Sequence, residues 1–197
     1  GEGLDERRQA LRVLPTYVDA GLPVLIITYR NDGAAPDDGG FYRWGLSEWQ
    51  DIDAAMTYAG APGRNARSFV LHGFGMGANI VAMHLHESDT ASDVIGAVLD
   101  SVVVDLGAVV DGIADERGIP AVVNAAAKAV ARVRFGLEWA ELDQQARAAQ
   151  FDTPLLVLHA SEDDLSPITS VEEFVSAVRG PVSYERFDGA DRVELWN

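Results

Sequence analysis

The fold is decided by residues 68–82, which read SFVLHGFGMGANIVA. An apolar run of strand length is followed by glycines at positions 73, 75 and 77, and a helical pattern starts immediately afterwards. A strand, a sharp turn and a helix in this order are the setting of a nucleophile elbow, G-x-S-x-G, which holds a serine above a parallel sheet. Here Gly75 occupies the serine position, so the sequence predicts the turn but lacks the serine oxygen.

Length and composition indicate one folded unit, and we treat residues 1–197 as a single domain. Hydrophobic residues make up 48% of the chain, but no apolar run is long enough to span a bilayer, so we expect no membrane contact from this segment. The formal net charge of −16 repels phosphate backbones, which argues against nucleic-acid binding. The absence of cysteine excludes disulfides, thiol catalysis and cysteine-based metal sites.

Strand-like and helix-like patterns alternate along the chain, which is typical of a doubly wound, mostly parallel α/β sheet. Apolar, β-branched runs predict strands at residues 23–29, 67–72, 94–99, 154–159 and 182–187. Residues 105–150 predict two or three helices that form a small helical lid or cap within the domain. The middle one, residues 121–133, is rich in Ala and Val, and a buried or lid helix fits it. Ser47 and Gln50 predict a capping box at the start of an earlier helix.

Three segments follow predicted strands, where open α/β sheets bind their ligands. They are GFGMG at 73–77, HASEDDLSP at 159–167 and FDGADRVELWN at 187–197. In sequence and order they resemble the nucleophile, acid and histidine loops of the α/β-hydrolase superfamily. The likeness is to the serine-hydrolase branch, near the dienelactone-hydrolase-like and prolyl-oligopeptidase-like families. It covers nearly the whole chain and implies the α/β-hydrolase fold.

The resemblance places the catalytic triad on Gly75, Asp163 and Arg192. Glycine offers no oxygen, so no acyl-enzyme forms at Gly75. Arginine keeps its proton and has no acceptor, so Arg192 cannot act as a general base. A guanidinium can still pair with a carboxylate, and our hypothesis is that Asp163 and Arg192 form a structural salt bridge.

The oxyanion hole that the family uses is also only partly present. The backbone N–H of Met76, at a predicted helix N-terminus, remains as one donor. In the family the second donor follows an earlier strand, which would precede residue 1 and lie between the strands predicted at 23–29 and 67–72. We therefore expect a fragment truncated at its N-terminal strands, whose missing N-terminus supplies this strand. The compartment stays open, with the cytoplasm favoured.

Four further residues are candidates for the pocket. Phe74 lies inside the elbow, His72 precedes it, and Ser101 follows the third predicted strand. A nucleophilic role for Ser101 lacks a base. Trp44 belongs to a loop whose aromatic residues more readily pin the loop to the body than bind a ligand. We expect His159 to be a packed or hydrogen-bonded residue.

Metal and cofactor sites are not predicted. The acidic run 162–164, with Asp188 and Asp191, offers oxygen ligands for a divalent cation, but a solvated acidic loop is the favoured interpretation. His84 and His86 are two residues apart on a helix, so they lie on different faces and make a poor metal pair.

Two functional hypotheses from different classes follow. The first is a pseudo-hydrolase that has kept the fold, lost hydrolysis, and binds a small-molecule ligand or a protein partner. The second is an active esterase-like or peptidase-like hydrolase with altered chemistry, or one whose nucleophile was removed by engineering. Turnover of short acyl esters by the native chain separates them.

Overall fold

A computed structural model describes residues 10–32, 35 and 39–190 of the chain. Its centre is a four-stranded sheet in the order β1-β2-β3-β4, in which every neighbouring pair is parallel. The strands are β1 (Phe69–Phe74), β2 (Val94–Asp100), β3 (Leu155–Ala160) and β4 (Val182–Phe187). These correspond to four of the five strands predicted from the sequence.

Seven α-helices of the described residues accompany the sheet. They are α1 (Leu14–Asp19), α2 (Trp49–Gly60), α3 (Met76–Glu87), α4 (Leu106–Glu116), α5 (Ala121–Phe135), α6 (Gln144–Arg147) and α7 (Ile168–Ala177). Short 3₁₀ turns precede β2 and follow α6. Strands followed by helices around a parallel sheet confirm the predicted α/β class. No helix in the described ranges is both long and apolar enough to cross a membrane.

The main core lies between the sheet and the helices that flank it. Residues Ala78 to His84 of α3 are all buried, so this helix is enclosed on nearly every side. Apolar side chains of the central strands, such as Leu99 and Val157, are fully buried against it and against Phe174 of α7. A helix buried on nearly all sides is expected to be mostly apolar, as α3 is apart from Asn79 and the histidines.

The register of the strands brings the functional segments to one edge. Phe74 at the end of β1 pairs with Asp100 at the end of β2, and Asp100 pairs with Leu158 of β3. Because the strands are parallel, their carboxyl ends meet at the same edge of the sheet, where ligands of such folds bind.

One predicted strand is not formed. Residues 23–29 run without strand pairing, although Ile27 and Tyr29 pack against the main core. The described residues place no strand between this segment and β1, which is the edge of the four-stranded sheet. An extended segment becomes a strand only when a neighbour accepts and donates its backbone hydrogen bonds. Its β-branched sequence was therefore not sufficient.

Two local predictions also differ from the structure. The helix after Ser47 begins at Trp49 with Glu48 as its N-cap residue, so the predicted capping box is wrong. The helix predicted as buried or lid-forming, α5, has no buried residue, so burial is wrong for it. Whether residues 105–150 act as a lid stays a prediction.

Candidate active site

The elbow has the backbone conformation that the glycine spacing predicts. β1 ends at Phe74, Gly75 has φ 52° and ψ −115°, and α3 begins at Met76. The N–H of Gly75 donates to the carbonyl of Asp100 over 2.8 Å, which ties the turn to the end of β2. A positive φ of this kind is easily adopted by glycine and strained in other residues. Gly75 therefore forms the sharp corner without a side chain.

The flanking glycines have different roles in this corner. A Cβ on Gly73 would lie 2.2 Å from the carbonyl oxygen of Gly77, a distance that no backbone tolerates. A Cβ on Gly77 would meet nothing within 4 Å. β1 can therefore pack this closely against the start of α3 only because residue 73 is a glycine and has no Cβ.

Met76 opens the 12-residue helix α3 directly after the corner. The first N–H groups of a helix have no partner inside it, and the helix dipole favours negative charge there. The predicted oxyanion donor thus lies at a helix N-terminus, as the sequence indicates.

The acid loop follows β3 and turns around Asp163. Oδ1 of Asp163 accepts from the N–H groups of Leu165 (2.9 Å) and Ser166 (3.3 Å), and the residue is buried. These two bonds close the turn 163–166 from within. The carboxyl of the predicted triad acid is therefore held in a fixed position.

His159 and Ser166 support this loop from below. His159 is buried and its Nε2 lies 2.9 Å from the carbonyl oxygen of Ser166. The hydroxyl of Ser166 donates to the carbonyl of Val102, beyond the end of β2, over 2.9 Å. The expectation that His159 is a hydrogen-bonded structural residue is confirmed.

The acid loop lies against the segment that follows β4. Glu162 donates its N–H to the carbonyl of Ala190 (3.1 Å), and the N–H of Gly189 donates to the Ser161 hydroxyl (2.9 Å). The predicted histidine position, Arg192, lies outside the described residues. The Asp163–Arg192 salt bridge therefore stays a prediction.

Ser101 stands beside the elbow at the end of β2. It is buried, has φ 55°, and its hydroxyl donates to Oδ1 of Asp100 over 2.9 Å. Because Gly75 bonds to the carbonyl of the same Asp100, the structure brings Ser101 and the nucleophile position together. A positive φ is unusual for serine and marks a strained residue.

Asn79 of α3 holds the segment that follows Ser101 at this edge of the sheet. Its amide donates to the carbonyl of Val103 (2.7 Å) and accepts from the Val103 N–H (3.1 Å), and both groups are buried. These two hydrogen bonds satisfy the backbone N–H and carbonyl groups of Val103, as a neighbouring strand does for residues within β2. The sequence contains no signal for this contact.

Trp44 lies in a second apolar cluster above the strand ends. The buried members are Val103, Leu106 and Leu142, and the partly buried members around them are Trp44, Leu46, Val109, Leu137, Trp139 and Leu165. Leu165 belongs to the acid loop, and Leu106 and Leu142 belong to the helical segment 105–150. This cluster therefore joins the Trp44 loop, the acid loop and the helical segment.

Glu48 holds the Trp44 loop in shape and was missed by the sequence analysis. Its carboxylate is fully buried and accepts from the N–H groups of Arg43 (2.6 Å), Gly45 (3.0 Å) and Ser47 (3.3 Å). Gly45 in turn has φ 106° and lies so close to α3 that a Cβ would approach Met83 to 2.8 Å. A buried carboxylate that gathers backbone amides has no distinct sequence pattern.

His72 and Phe74 lie on the same face of β1 and stack at 4.4 Å between ring centroids. Nδ1 of His72 lies 2.7 Å from the hydroxyl of Tyr17 on α1, and burial lowers the pKa of His72 to about 4. The structure therefore joins these two pocket candidates to α1.

Two other histidines form contacts at the far end of α3. Nε2 of His86 lies 3.2 Å from Oε1 of Gln144, and its pKa is lowered to about 4, mainly by burial. His84 is fully buried, and burial lowers its pKa although Asp53 lies 3.4 Å from Nδ1. Oδ1 of Asp53 accepts from the hydroxyl of Ser88 at 2.5 Å, so the serine donates to the acid and not to the histidine. That arrangement joins α2 to α3 and lacks the serine–histidine bond that activates a nucleophile.

A shallow cavity of about 260 Å³ opens to solvent beside the first turns of α4, between Lys128 of α5 and residues 139–143. Its charged lining residues are Asp105, Asp111, Lys128 and Asp143, with Trp139 beside them. Nζ of Lys128 bonds to Asp111 over 3.0 Å and already neutralises part of this lining. None of the predicted site residues lines this cavity.

The possible cation site in the acid loop gains no support from the part of the chain that the structure describes. Within residues 10–32, 35 and 39–190, no three His, Asp or Glu side chains are grouped to hold a metal ion. Asp191 lies outside those ranges.

Comparison with solved structures identifies the fold. An esterase from Pyrococcus furiosus superposes with a TM-score of 0.68 at 19% identity, over 93% of this chain and 67% of the esterase. A monoacylglycerol lipase from Paleococcus ferrophilus gives 0.72 at 15% identity, over 98% and 83%. A puromycin-hydrolyzing peptidase from Mycobacterium tuberculosis gives 0.58 at 18% identity, over 76% of this chain and 23% of the peptidase.

No protein-family model and no curated protein sequence matches the chain. At these identities the likeness is one of fold, and the chain has the α/β-hydrolase fold that the sequence predicts. The elbow and the acid loop follow the first and third strands of the described sheet.

Proposed function

We propose that the chain is a catalytically silent α/β-hydrolase-fold protein. In this proposal the face formed by the elbow, the acid loop and the second apolar cluster binds a small molecule or a protein partner without hydrolysing it. The observation that carries the proposal is Gly75, which has the elbow conformation, φ 52° and ψ −115°, and no side-chain atom to react. A turn with the conformation of a nucleophile elbow can still shape a binding site when its central residue carries no nucleophile.

The chemistry of acyl transfer supports this proposal. The reaction needs an oxygen or sulfur nucleophile with a base within hydrogen-bond reach. Gly75 supplies no nucleophile, and Arg192 supplies no base because its guanidinium stays protonated. His159 lies closest in sequence to the acid, but it is buried and bonded to the carbonyl of Ser166.

The surroundings favour a ligand with an apolar body. Trp44 and Leu165 meet in the second apolar cluster, next to the loops that end the strands. The N-terminus of α3 at Met76 adds donors that suit a carbonyl or carboxylate oxygen. A short acyl chain or an apolar side chain of a partner with one such oxygen matches this lining.

The decisive experiment restores the two missing groups. If the site geometry is intact in the complete chain, Gly75→Ser combined with Arg192→His should produce measurable hydrolysis of short p-nitrophenyl esters, and either single change should not. The native chain should show no turnover above a heat-denatured sample. Native turnover above that control would contradict the proposal. A fluorophosphonate probe, which labels activated serines, should mark only the double variant.

Ser101 favours one alternative function, an active hydrolase of altered chemistry. Ser101 follows Asp100, whose carbonyl is bonded to the elbow, its hydroxyl donates to the carboxyl of Asp100 over 2.9 Å, and its φ is 55°. If the native chain hydrolyses esters and Ser101→Ala abolishes this while Ser161→Ala does not, the alternative holds.

A further inference from the structure

The side of α5 that lies opposite its inward-turned residues is composed of alanine and valine, with Arg132 and Arg134 exposed at its margins. The residues that turn inward on this helix are Asn124, Lys128, Ala131 and Phe135, spaced three or four apart. On the opposite side the same spacing gives Val122, Ala126, Ala129 and Val133, all exposed. Val122 is 75% exposed and Val133 is 89% exposed. We call the residues 122, 126, 129 and 133, with Val130 beside them, the α5 apolar face.

This face is large for a surface that stays in water. Its valines together with Val123 expose roughly 400 Å², which is as large as the biggest apolar patch on a typical monomer. When two such faces join, their valines and alanines together bury on the order of 1,000 Å² of solvent-accessible surface. That area is the lower limit for a specific interface. The face is therefore sufficient for a weak dimer.

From these observations we infer that the α5 apolar face binds the same face of a second copy of the chain, with the two helices antiparallel. The face is self-complementary, because valines stand at both ends and alanines at the centre. A two-fold axis between positions 126 and 129 places Val122 opposite Val133 of the other copy. The small alanines let the helix backbones approach closely, as in other tight helix pairs.

The charges around the face select the antiparallel direction. Arg132 and Arg134 flank the C-terminal end of α5, where Arg132 also pairs with Glu138. Near the N-terminal end of α5 lie two exposed acidic residues of α4, Asp115 and Glu116, and one basic residue, Arg117, so this end has a net negative charge. An antiparallel pair brings the basic end of one copy to the acidic end of the other, whereas a parallel pair joins like charges.

The net charge of the chain supports the same partner. At −16 the molecule as a whole repels another copy, yet α5 itself contains Lys128, Arg132 and Arg134 and no acidic residue. The helix is therefore a cationic segment on an anionic molecule. Lys128 is paired with Asp111 and Arg132 with Glu138, so two copies that meet at this helix oppose less uncompensated charge than two strongly acidic surfaces do.

Sedimentation velocity of the native chain over a range of concentrations tests the inference first. The mass should rise from 21.2 kDa toward twice that value as concentration increases. Val133→Glu should keep the chain monomeric, and Val18→Glu, the same change at an exposed valine of α1, should leave the dimer intact. A native chain that stays monomeric at hundreds of micromolar overturns the inference, as does equal loss of the dimer in both variants.

Single cysteines test the direction, since the chain has none of its own. In the antiparallel pair the two copies of position 126 are offset by about 4 Å along the axis and those of position 133 by about 16 Å. Ala126→Cys should therefore form a disulfide-linked dimer on oxidation, and Val133→Cys should not. Linkage of both variants indicates a parallel pair and overturns the inference. Binding of the monomer to anionic vesicles through α5 would also overturn it, in favour of a membrane surface.

Discussion

Serine substitution at the three elbow glycines should change the stability of the chain to three different degrees. At Gly75 the backbone has φ 52° and ψ −115°, a region that costs a non-glycine residue about 1 to 3 kcal/mol. Serine also stiffens the unfolded chain, which recovers about 0.4 to 1 kcal/mol. We therefore expect Gly75→Ser to lower the free energy of unfolding by about 1 kcal/mol and the Tm by about 2–4 °C.

The neighbouring glycines are the matched controls for this value. Gly77→Ser adds its Cβ where nothing lies within 4 Å, so the Tm should stay the same or rise slightly. Gly73→Ser drives its Cβ to 2.2 Å from the carbonyl oxygen of Gly77, and the cost should be about 4 kcal/mol or more. Thermal unfolding followed by circular dichroism measures all three. A Tm for Gly75→Ser equal to or above that of the native chain would show that the corner is not strained for serine.

Two further changes test the surroundings of the site. Burial lowers the pKa of His72 and His86 to about 4, so between pH 6.5 and 4 the unfolded chain takes up protons that the folded chain does not. The free energy of unfolding should therefore decrease as the pH is lowered through this window. Urea unfolding at pH 7.5 and pH 5 measures this decrease, which should be smaller in the double variant His72→Phe with His86→Phe. A decrease as large as that of the native chain would count against buried neutral histidines. Glu48→Gln replaces one of two accepting oxygens by an amide donor and should lower the free energy of unfolding by about 1–3 kcal/mol, whereas Glu173→Gln on the exposed side of α7 should have no effect. Equal urea midpoints for the two Glu variants would contradict the role given to Glu48.

The parts of the fold that the sequence predicted are those with a local cause. The glycine at 73 is required by a contact with Gly77, only four residues away, so the elbow is visible in the sequence. The turn at Asp163 is closed by amides two and three residues further on. Both patterns are determined within a few residues.

The parts that were missed depend on distant partners. Residues 23–29 have a strand-like sequence, but strand formation needs a neighbour whose presence no local pattern records. Asn79 reaches Val103, 24 residues further along the chain, and α5 is exposed because nothing among the described residues covers it. Periodicity shows which side of an element is apolar, but it does not show what lies opposite.

The position of Asp163 in the acid loop has a structural cause. Its carboxyl oxygen accepts from Leu165 and Ser166, and Ser166 bonds both to His159 and to Val102. These contacts hold the acid loop to the ends of β2 and β3 whether or not a histidine N–H donates to the carboxylate. Gly75 likewise stabilises the corner through its backbone alone. A chain with these contacts keeps the shape of the turn and of the acid loop without a side chain at position 75, and this makes the proposed binding function compatible with the α/β-hydrolase fold.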